Sequence, residues 1–452
     1  MTDIVVHPAE KPLFGSVPVP GDKSIAHRAL LLAGLASGKS SIRGGALGDD
    51  NLATLAALHA MGVRSIPSPQ AQGEIAVEGA GMTGLRAPDA PIDCGNSGTT
   101  MRLLAGLLAA QRFPSRLVGD ASLSTRPMER VARPLRLRGA RIEGRLDPRK
   151  IGEITAPLDI GPLPAPHVLS EIEYELPIAS AQVKSAILLS GLFADGPTYV
   201  REPVVSRDHT ERMLCALGVP IHTVGAMIEL DAAAWSGVLE PFTVQIPGDL
   251  SSAAFLIAAA QIVPESRVDV RRVGLNPTRT GILEVLRDMG GRVASEMKGV
   301  ELGGPMGDIF AGHAELRAGK IGGELVARAI DEVPILCALG ARGKGTTVIA
   351  DAQELRVKES DRLRAMAGVL RAFGVEVEET PDGMLIEGRP DGPLEAADVA
   401  SQGDHRVAMA AAVLGLVARG PSRVRDAACI ATSFPRFIGT LRALGARVEV
   451  VG

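Results

Sequence analysis

Aromatic side chains are scarce in this chain: one Trp, two Tyr and nine Phe make up 3% of 452 residues. Without aromatics interleaved among basic residues there is no stacking platform for single-stranded nucleic acid. Cysteine is equally sparse. Cys94, Cys215, Cys337 and Cys429 lie far apart with no C-x-x-C pair, which argues against a zinc site and a disulfide framework and suits small buried side chains in a reducing compartment. No apolar run approaches the length of a membrane span, and the start "MTDIVVHPAEKPLFG" lacks the layout of a signal peptide. Nor is there an excess of one charge. With 48 basic and 52 acidic residues the net charge is −4, so no global field recruits nucleic acid or an anionic membrane. A cytoplasmic protein is expected, and any anion site must be built locally.

One stretch imitates a phosphate-binding loop. "LAGLASGKSS" ends in Gly38-Lys39-Ser40, but only three residues separate Gly34 from Gly38 where the P-loop needs four. The preceding "SIAHRALLLAGLA" reads as a helix that stops at Gly38 as its C-cap, whereas a P-loop opens a helix.

At 452 residues the chain is too long for one ordinary core. An internal repeat organises it. A short phrase, apolar residue then Gly then usually Ala or Val, closes an amphipathic helix and precedes a strand at Gly62, Gly139, Gly218, Gly290, Gly374 and Gly445, with separations of 71 to 84 residues. Each copy opens with a polar turn and an alanine-rich helix that is apolar nearly all round, as a helix inside a domain reads. Six such α/β units predict two domains of three, with buried helices surrounded by sheets. "PGD" at 20 to 22 recurs at 247 to 249. These mark the crossings, which puts residues 20–246 in one domain and 1–19 with 247–452 in the other.

The helix starts carry more than caps need. Orphan N–H groups and the macrodipole attract anions there, and four starts add cations or fine donors: Lys23-Ser24 with Arg28, Asn96-Ser97-Gly98, Ser180-Ala181-Gln182 with Lys184, and Asp404-His405-Arg406. Loops add "DASLSTRPMER", "SRDHTER" and "LRVKESDRL". Taken alone, the last reads as a solvated helix face laced with pairs such as Lys358 with Asp361.

Together "PGDKSIAHRALLLAGLA", "GNSGTTMR", "GDASLSTRPMERV", "ASAQVKSAILLSGL", "SRDHTERML", "NPTRTGILE", "IDEVPIL", "LRVKESDRL" and "DHRVAMA" resemble the 5-enolpyruvylshikimate-3-phosphate synthase family, in its bacterial class II branch, over residues 20–437 and in the family's order. The resemblance implies the two-domain enolpyruvyl transferase fold, α/β, with its active site in the interdomain cleft. It implies transfer of the enolpyruvyl group of phosphoenolpyruvate to the 5-hydroxyl of shikimate 3-phosphate, with small-molecule substrates, no cofactor or metal, no nucleic-acid or membrane partner, and a monomer. Matched residue by residue, Lys23, Ser24, Arg28, Ser180, Ala181, Gln182, Arg207, Asp331 and Lys358 would hold shikimate 3-phosphate. Lys23, Gly98, Arg126, Gln182, Arg362 and Arg406 would hold phosphoenolpyruvate, whose carboxylate and phosphate suit bidentate guanidinium groups. Asp331, Glu359 and Lys23 would be catalytic, Glu359 with Lys23 serving the methylene proton and Asp331 the 5-hydroxyl. Glyphosate would occupy the phosphoenolpyruvate site, and Gly98 stands where insensitive class II relatives carry alanine.

The chain departs from many relatives at "ATSFPRF", where Ser433 precedes Phe-Pro in place of a lysine, so no contact is carried over there. The sister family acting on UDP-N-acetylglucosamine often carries a cysteine in the loop matching "ASLSTRPMER", and this loop has none. A non-catalytic anion binder would keep the cations and lose the acid and base, yet Glu359, Asp331 and Lys23 are all present. His27, His209 and His405 read as packing residues. Arg102 either faces the cleft or ties its helix to a neighbouring strand. The basic stretch 136–150 reads as solvated surface.

Overall fold

A computed structural model describes residues 2–44, 48–67 and 73–452. Backbone contacts divide the chain into two compact units. Gly21–Ile246 with Val300–Gly304 forms the first, and the chain up to Pro20 with Pro247–Gly299 and Pro305–Gly452 forms the second.

The first unit holds α1 (Lys23–Leu35), α2 (Asp49–Ala60), α3 (Gly98–Leu108), α4 (Glu129–Leu137), α5 (Ala181–Gly191) and α6 (His209–Ala216). α1, α3 and α5 are buried along nearly their whole length, because their Ala-, Leu- and Gly-rich sequences offer no polar face. Small residues also let them touch backbone to backbone: a Cβ on Gly106 of α3 would lie 2.3 Å from the carbonyl oxygen of Ala186 on α5. Three four-stranded sheets accompany these helices. In the first, Thr243–Gln245 runs parallel to Lys39–Arg43, which pairs antiparallel with Ile75–Glu78, itself antiparallel to Arg64–Pro67. The strand that completes this sheet thus arrives from the end of the third repeat.

The second unit repeats the plan with α7 (Leu250–Ile262), α8 (Gly281–Asp288), α9 (Glu324–Ala329), α10 (Val333–Gly340), α11 (Arg362–Ala372), α12 (His405–Gly415) and α13 (Phe437–Ala443). Every residue of α7 and α10 is buried, and all of α12. Here the start of the chain closes two sheets. Phe14–Pro18 lies parallel to Arg267–Gly274, and Asp3–Val6 is antiparallel to both Ser422–Arg425 and Val448–Val451, with Ile4 opposite Val424 and Val450. Each unit has its own apolar core. The six α/β units with buried helices and surrounding sheets are those the repeat predicts.

The repeated phrase has a single cause. Gly62, Gly139, Gly218, Gly290, Gly374 and Gly445 each stand just past the last turn of α2, α4, α6, α8, α11 or α13, at φ between +77° and +106°. That left-handed conformation ends a helix at little cost only in glycine. Gly38 is different, and here the expectation is corrected. α1 ends at Leu35 with extended Ala36 as its cap, and Gly38, at φ +145°, packs by the ring of Pro241 and leads into the strand Lys39–Arg43. Lys39 and Ser40 are strand residues, so no phosphate loop exists.

Two other expectations change. Arg138, within the basic stretch expected at the surface, is fully buried, donating to Ser170 O, Ile187 O, Ser190 Oγ and Thr198 Oγ1. Burial pulls its guanidinium down to about 10. Of the cysteines only Cys94 and Cys337 are buried; Cys215 on α6 is exposed and Cys429 half-buried. Among the described residues no helix is long and apolar enough to cross a membrane.

Candidate active site

In the first unit the starts of α1, α3 and α5 are tied together by side chains. Asp22 caps α1 through Ile25 N–H, Ser97 caps α3 through Thr100 N–H, and Ser180 caps α5. This leaves Lys23, Gly98, Ala181 and Gln182 on the first turns, where the helix dipoles favour anions. Lys23 Nζ lies 2.8 Å from Asp50 Oδ2, and Asn51 Nδ2 donates to the Lys23 carbonyl. Arg28, one turn on, donates to Ser24 O, Thr210 Oγ1 and Ser185 Oγ, which joins α1 to α5 and α6. Arg126 donates to Asn96 Oδ1 at 2.7 Å, and its buried Nε–H has no hydrogen-bond partner among the described residues. An unmade bond of that kind costs about 1–3 kcal/mol unless a ligand completes it.

Arg102, left open by the sequence, ties its helix to a different helix and loop. It donates to Gln182 Oε1 at 2.6 Å and to Pro127 O at 3.3 Å, while Gln182 Nε2 donates to Thr99 Oγ1. The guanidinium thus orients Gln182 and steadies the backbone beside Arg126. Lys23, Ser24, Arg28, Gly98, Arg126, Ser180, Ala181 and Gln182 therefore share one hydrogen-bonded neighbourhood. Arg207 is half-buried just ahead of α6. Lys184 does not join them. It is 1% exposed and lies 2.6 Å from Glu202 and 2.7 Å from Glu211. Desolvation works against its ammonium, but Glu211 and Glu202 outweigh it and hold its pKa above the usual lysine range, while burial pushes Glu211 up.

In the second unit one arginine organises the candidates. Arg362 opens α11 and is 1% exposed, with Nε 2.8 Å from Asp404 Oδ2, Nη2 2.6 Å from Glu359 Oε2 and Nη1 3.4 Å from Asp331 Oδ1. Burial disfavours its charge, yet these three carboxylates more than offset that, and its pKa is raised. Against its own burial Asp404 is held below the usual carboxylate range by Arg362. Arg406 on α12 donates to Asp331 O at 2.9 Å and approaches Asp331 Oδ2 at 3.7 Å, with its buried Nε–H unpartnered among the described residues. Half-buried Lys358 is drawn down to about 8, chiefly by desolvation, which the charge of Asp331 only partly offsets.

The solvated helix face expected for "LRVKESDRL" does not exist. A short 3-10 helix, Gln353–Val357, is followed by extended Lys358, and α11 begins only at Arg362 under the Asp361 cap. The irregular backbone turns Lys358, Glu359 and Arg362 inward, while Arg356 ties the outside to Asp361 and Glu379. His27 behaves as a packing residue: its Nδ1 bonds Thr54 Oγ1 at 2.7 Å, and burial lowers its pKa to about 3. Sequence reasoning missed Asp50, Thr99, Glu202 and Glu211, since each meets its partner only through the fold. Among the described residues no cluster of three His, Cys, Asp or Glu is arranged to hold a metal ion.

The arrangement suits a small polyanion handled by paired carboxylates and cations. Comparison with known proteins gives the family. Residues 8–441 match the family model described as EPSP synthase (3-phosphoshikimate 1-carboxyvinyltransferase). The chain is 49% identical over 441 residues to the 3-phosphoshikimate 1-carboxyvinyltransferase of Geobacter sp. (strain M21), covering 98% of this chain and 99% of that one. It is 49% identical over 450 residues to that of Acidithiobacillus ferrooxidans (strain ATCC 53993 / BNL-5-31), covering 100% and 99%. The solved EPSP synthase of Acinetobacter baumannii superimposes with a TM-score of 0.87 at 41% identity, each chain fully covered.

Proposed function

Since the chain belongs to the EPSP synthase (3-phosphoshikimate 1-carboxyvinyltransferase) family, we propose the division of labour by which its two side-chain clusters perform that family's reaction. The enzyme transfers the enolpyruvyl group of phosphoenolpyruvate to the 5-hydroxyl of shikimate 3-phosphate and releases phosphate. Lys23, Ser24, Arg28, Ser180, Ala181, Gln182 and Arg207 of the first unit, with Asp331 and Lys358 of the second, hold shikimate 3-phosphate. Lys23, Gly98, Arg126, Gln182, Arg362 and Arg406 hold phosphoenolpyruvate.

In the addition step Asp331 takes the proton of the 5-hydroxyl as its oxygen attacks C2, and Glu359 with Lys23 delivers a proton to the methylene carbon. In the elimination step the same pair removes a proton from the new methyl group as the C2–O bond to phosphate breaks. The leaving phosphate takes up the proton that Asp331 accepted, so the enol ether is restored and each carboxyl group returns to its starting state. The observation that carries this reading is the grip of Arg362 on both Glu359 and Asp331, at 2.6 and 3.4 Å. One guanidinium thus fixes the position of both the candidate acid and the candidate base. The charge balance and the shortage of aromatics support an enzyme without nucleic-acid partners, and the scattered cysteines suit a reducing cytoplasm. We assign it to the class II branch on its motifs, and expect a monomer.

The substrate is tested by phosphate release from phosphoenolpyruvate with shikimate 3-phosphate against UDP-N-acetylglucosamine; release only with the latter overturns the assignment. For the roles, Glu359→Gln should lower kcat by roughly 10²-fold with little change in either KM, because Arg362 keeps Asp404 at 2.8 Å. A near-normal kcat would remove Glu359 from the chemistry.

A further inference from the structure

The function described above makes no use of the buried cluster around Lys184, although three charged side chains converge there. Lys184 Nζ contacts Glu202 Oε2 and Glu211 Oε1 and donates to the carbonyl of Ser206 at 3.3 Å. Glu202 in turn accepts the Ser206 hydroxyl on Oε1 and the Ser206 N–H on Oε2. Glu202 and Ser206 bracket a five-residue loop, "EPVVS", and the next residue is Arg207. Glu211, on α6, follows Thr210, whose hydroxyl receives Arg28 Nε at 2.6 Å and bonds Ser185 Oγ at 2.7 Å, beside Lys184 on α5. The cluster therefore joins the three segments that carry or anchor Arg28 and Arg207.

We infer that Lys184, Glu202 and Glu211 are positioning residues for shikimate 3-phosphate, acting through Arg207 and Arg28 and touching no substrate themselves. A buried ion cluster stabilises a fold no better than apolar packing of the same volume, but it is intolerant of displacement. Two carboxylates from separate segments meet one ammonium, so neither the 202–207 loop nor α6 can slide without stranding a charge in a low-dielectric interior. Arg207 and Arg28 are thereby held in place before the ligand arrives, which lowers the ordering cost of binding. The inference rests on the reading of Arg28 and Arg207 as ligands of shikimate 3-phosphate.

The test compares Glu202→Gln, Lys184→Met, Arg207→Gln and Ile187→Ala in the full-length enzyme, by steady-state kinetics and thermal unfolding. Glu202→Gln leaves Lys184 paired one to one with Glu211 and should fold; the KM for shikimate 3-phosphate should rise about tenfold, with kcat and the KM for phosphoenolpyruvate within about threefold of the parent. Lys184→Met should show the same split, and if it does not fold, Glu202→Gln decides. Ile187 is fully buried on the same helix, so Ile187→Ala should lose stability with the KM unmoved; an equal rise there would make the cluster merely structural and overturn the proposal. If Arg207→Gln raises that KM and folded Glu202→Gln does not, the inference fails while the site reading stands. If Arg207→Gln leaves it unchanged, the site reading fails and the inference with it.

Discussion

At Gly98 the space for a side chain is already occupied. A Cβ there would lie 2.8 Å from Arg102 Nη1 and 3.2 Å from Arg126 Nη1, so one or both guanidinium groups must move. Displacing Arg102 loosens its 2.6 Å bond to Gln182, and overpacking of this order costs about 1–3 kcal/mol. Glyphosate, longer than phosphoenolpyruvate, should suffer more from the shift. The parent enzyme is expected to be glyphosate-sensitive, and Gly98→Ala to weaken inhibition about tenfold or more with a smaller rise in the KM for phosphoenolpyruvate. Inhibition measured on both forms at matched phosphoenolpyruvate saturation checks this. Lys358 gives a pH prediction. Its ammonium titrates at about 8 in the free protein, and a bound phosphate favours the charged form. Affinity for shikimate 3-phosphate should therefore be full below about 8 and fall by up to about tenfold per pH unit above it. Lys358→Arg, always charged, should abolish that limb. Calorimetric titration between neutral and alkaline pH measures it, and a flat parent profile would remove Lys358 from the shikimate 3-phosphate site.

The helices separate two roles of glycine. Gly218 stands past the end of α6 at φ +80° with no atom within 4 Å of the place a methyl group would take, whereas Gly368 is exposed inside α11 with equally open space and ordinary helical backbone. Gly218→Ala should cost about 1–2 kcal/mol, from left-handed strain alone. Gly368→Ala should gain about 0.5–1 kcal/mol. Denaturant midpoints moving in opposite directions bear this out; a shift of both in one direction would refute the assignment of conformation. The helix ends were legible because one residue type at one spacing serves one local conformation. The turn 358–361 was not, since its charges fit a solvated helix as well as an inward loop. Only the packing of Leu355 and Leu363 into the core on either side of it decides between them.

For the whole molecule, the residues proposed above to bind the substrates are drawn from both units, and that proposal has a thermodynamic consequence. A ligand stabilises whatever binds it, by about 2.7 kcal/mol at one hundred times its dissociation constant. Saturating shikimate 3-phosphate with glyphosate should therefore raise the unfolding temperature of every transition seen by scanning calorimetry. A transition that stays in place would assign both ligands to one unit.

Local chemistry determined much of this protein from sequence alone. Apolar helices without a polar face have nowhere to lie but inside, glycine at C′ ends a helix, and a −4 chain that binds polyanions must gather its cations at a few places. What only the tertiary structure decided is which charge meets which. Lys184 and Lys23 both lie close to a capped helix start, but the packing of their repeats brings Lys184 to Glu202 and Glu211 and Lys23 to Asp50. Arg138 lies among basic neighbours in sequence yet ends in a buried shell of hydroxyls and carbonyls. A charged side chain carries no local conformational signature, and Coulomb attraction depends on distance in space, so its partner is set by the fold.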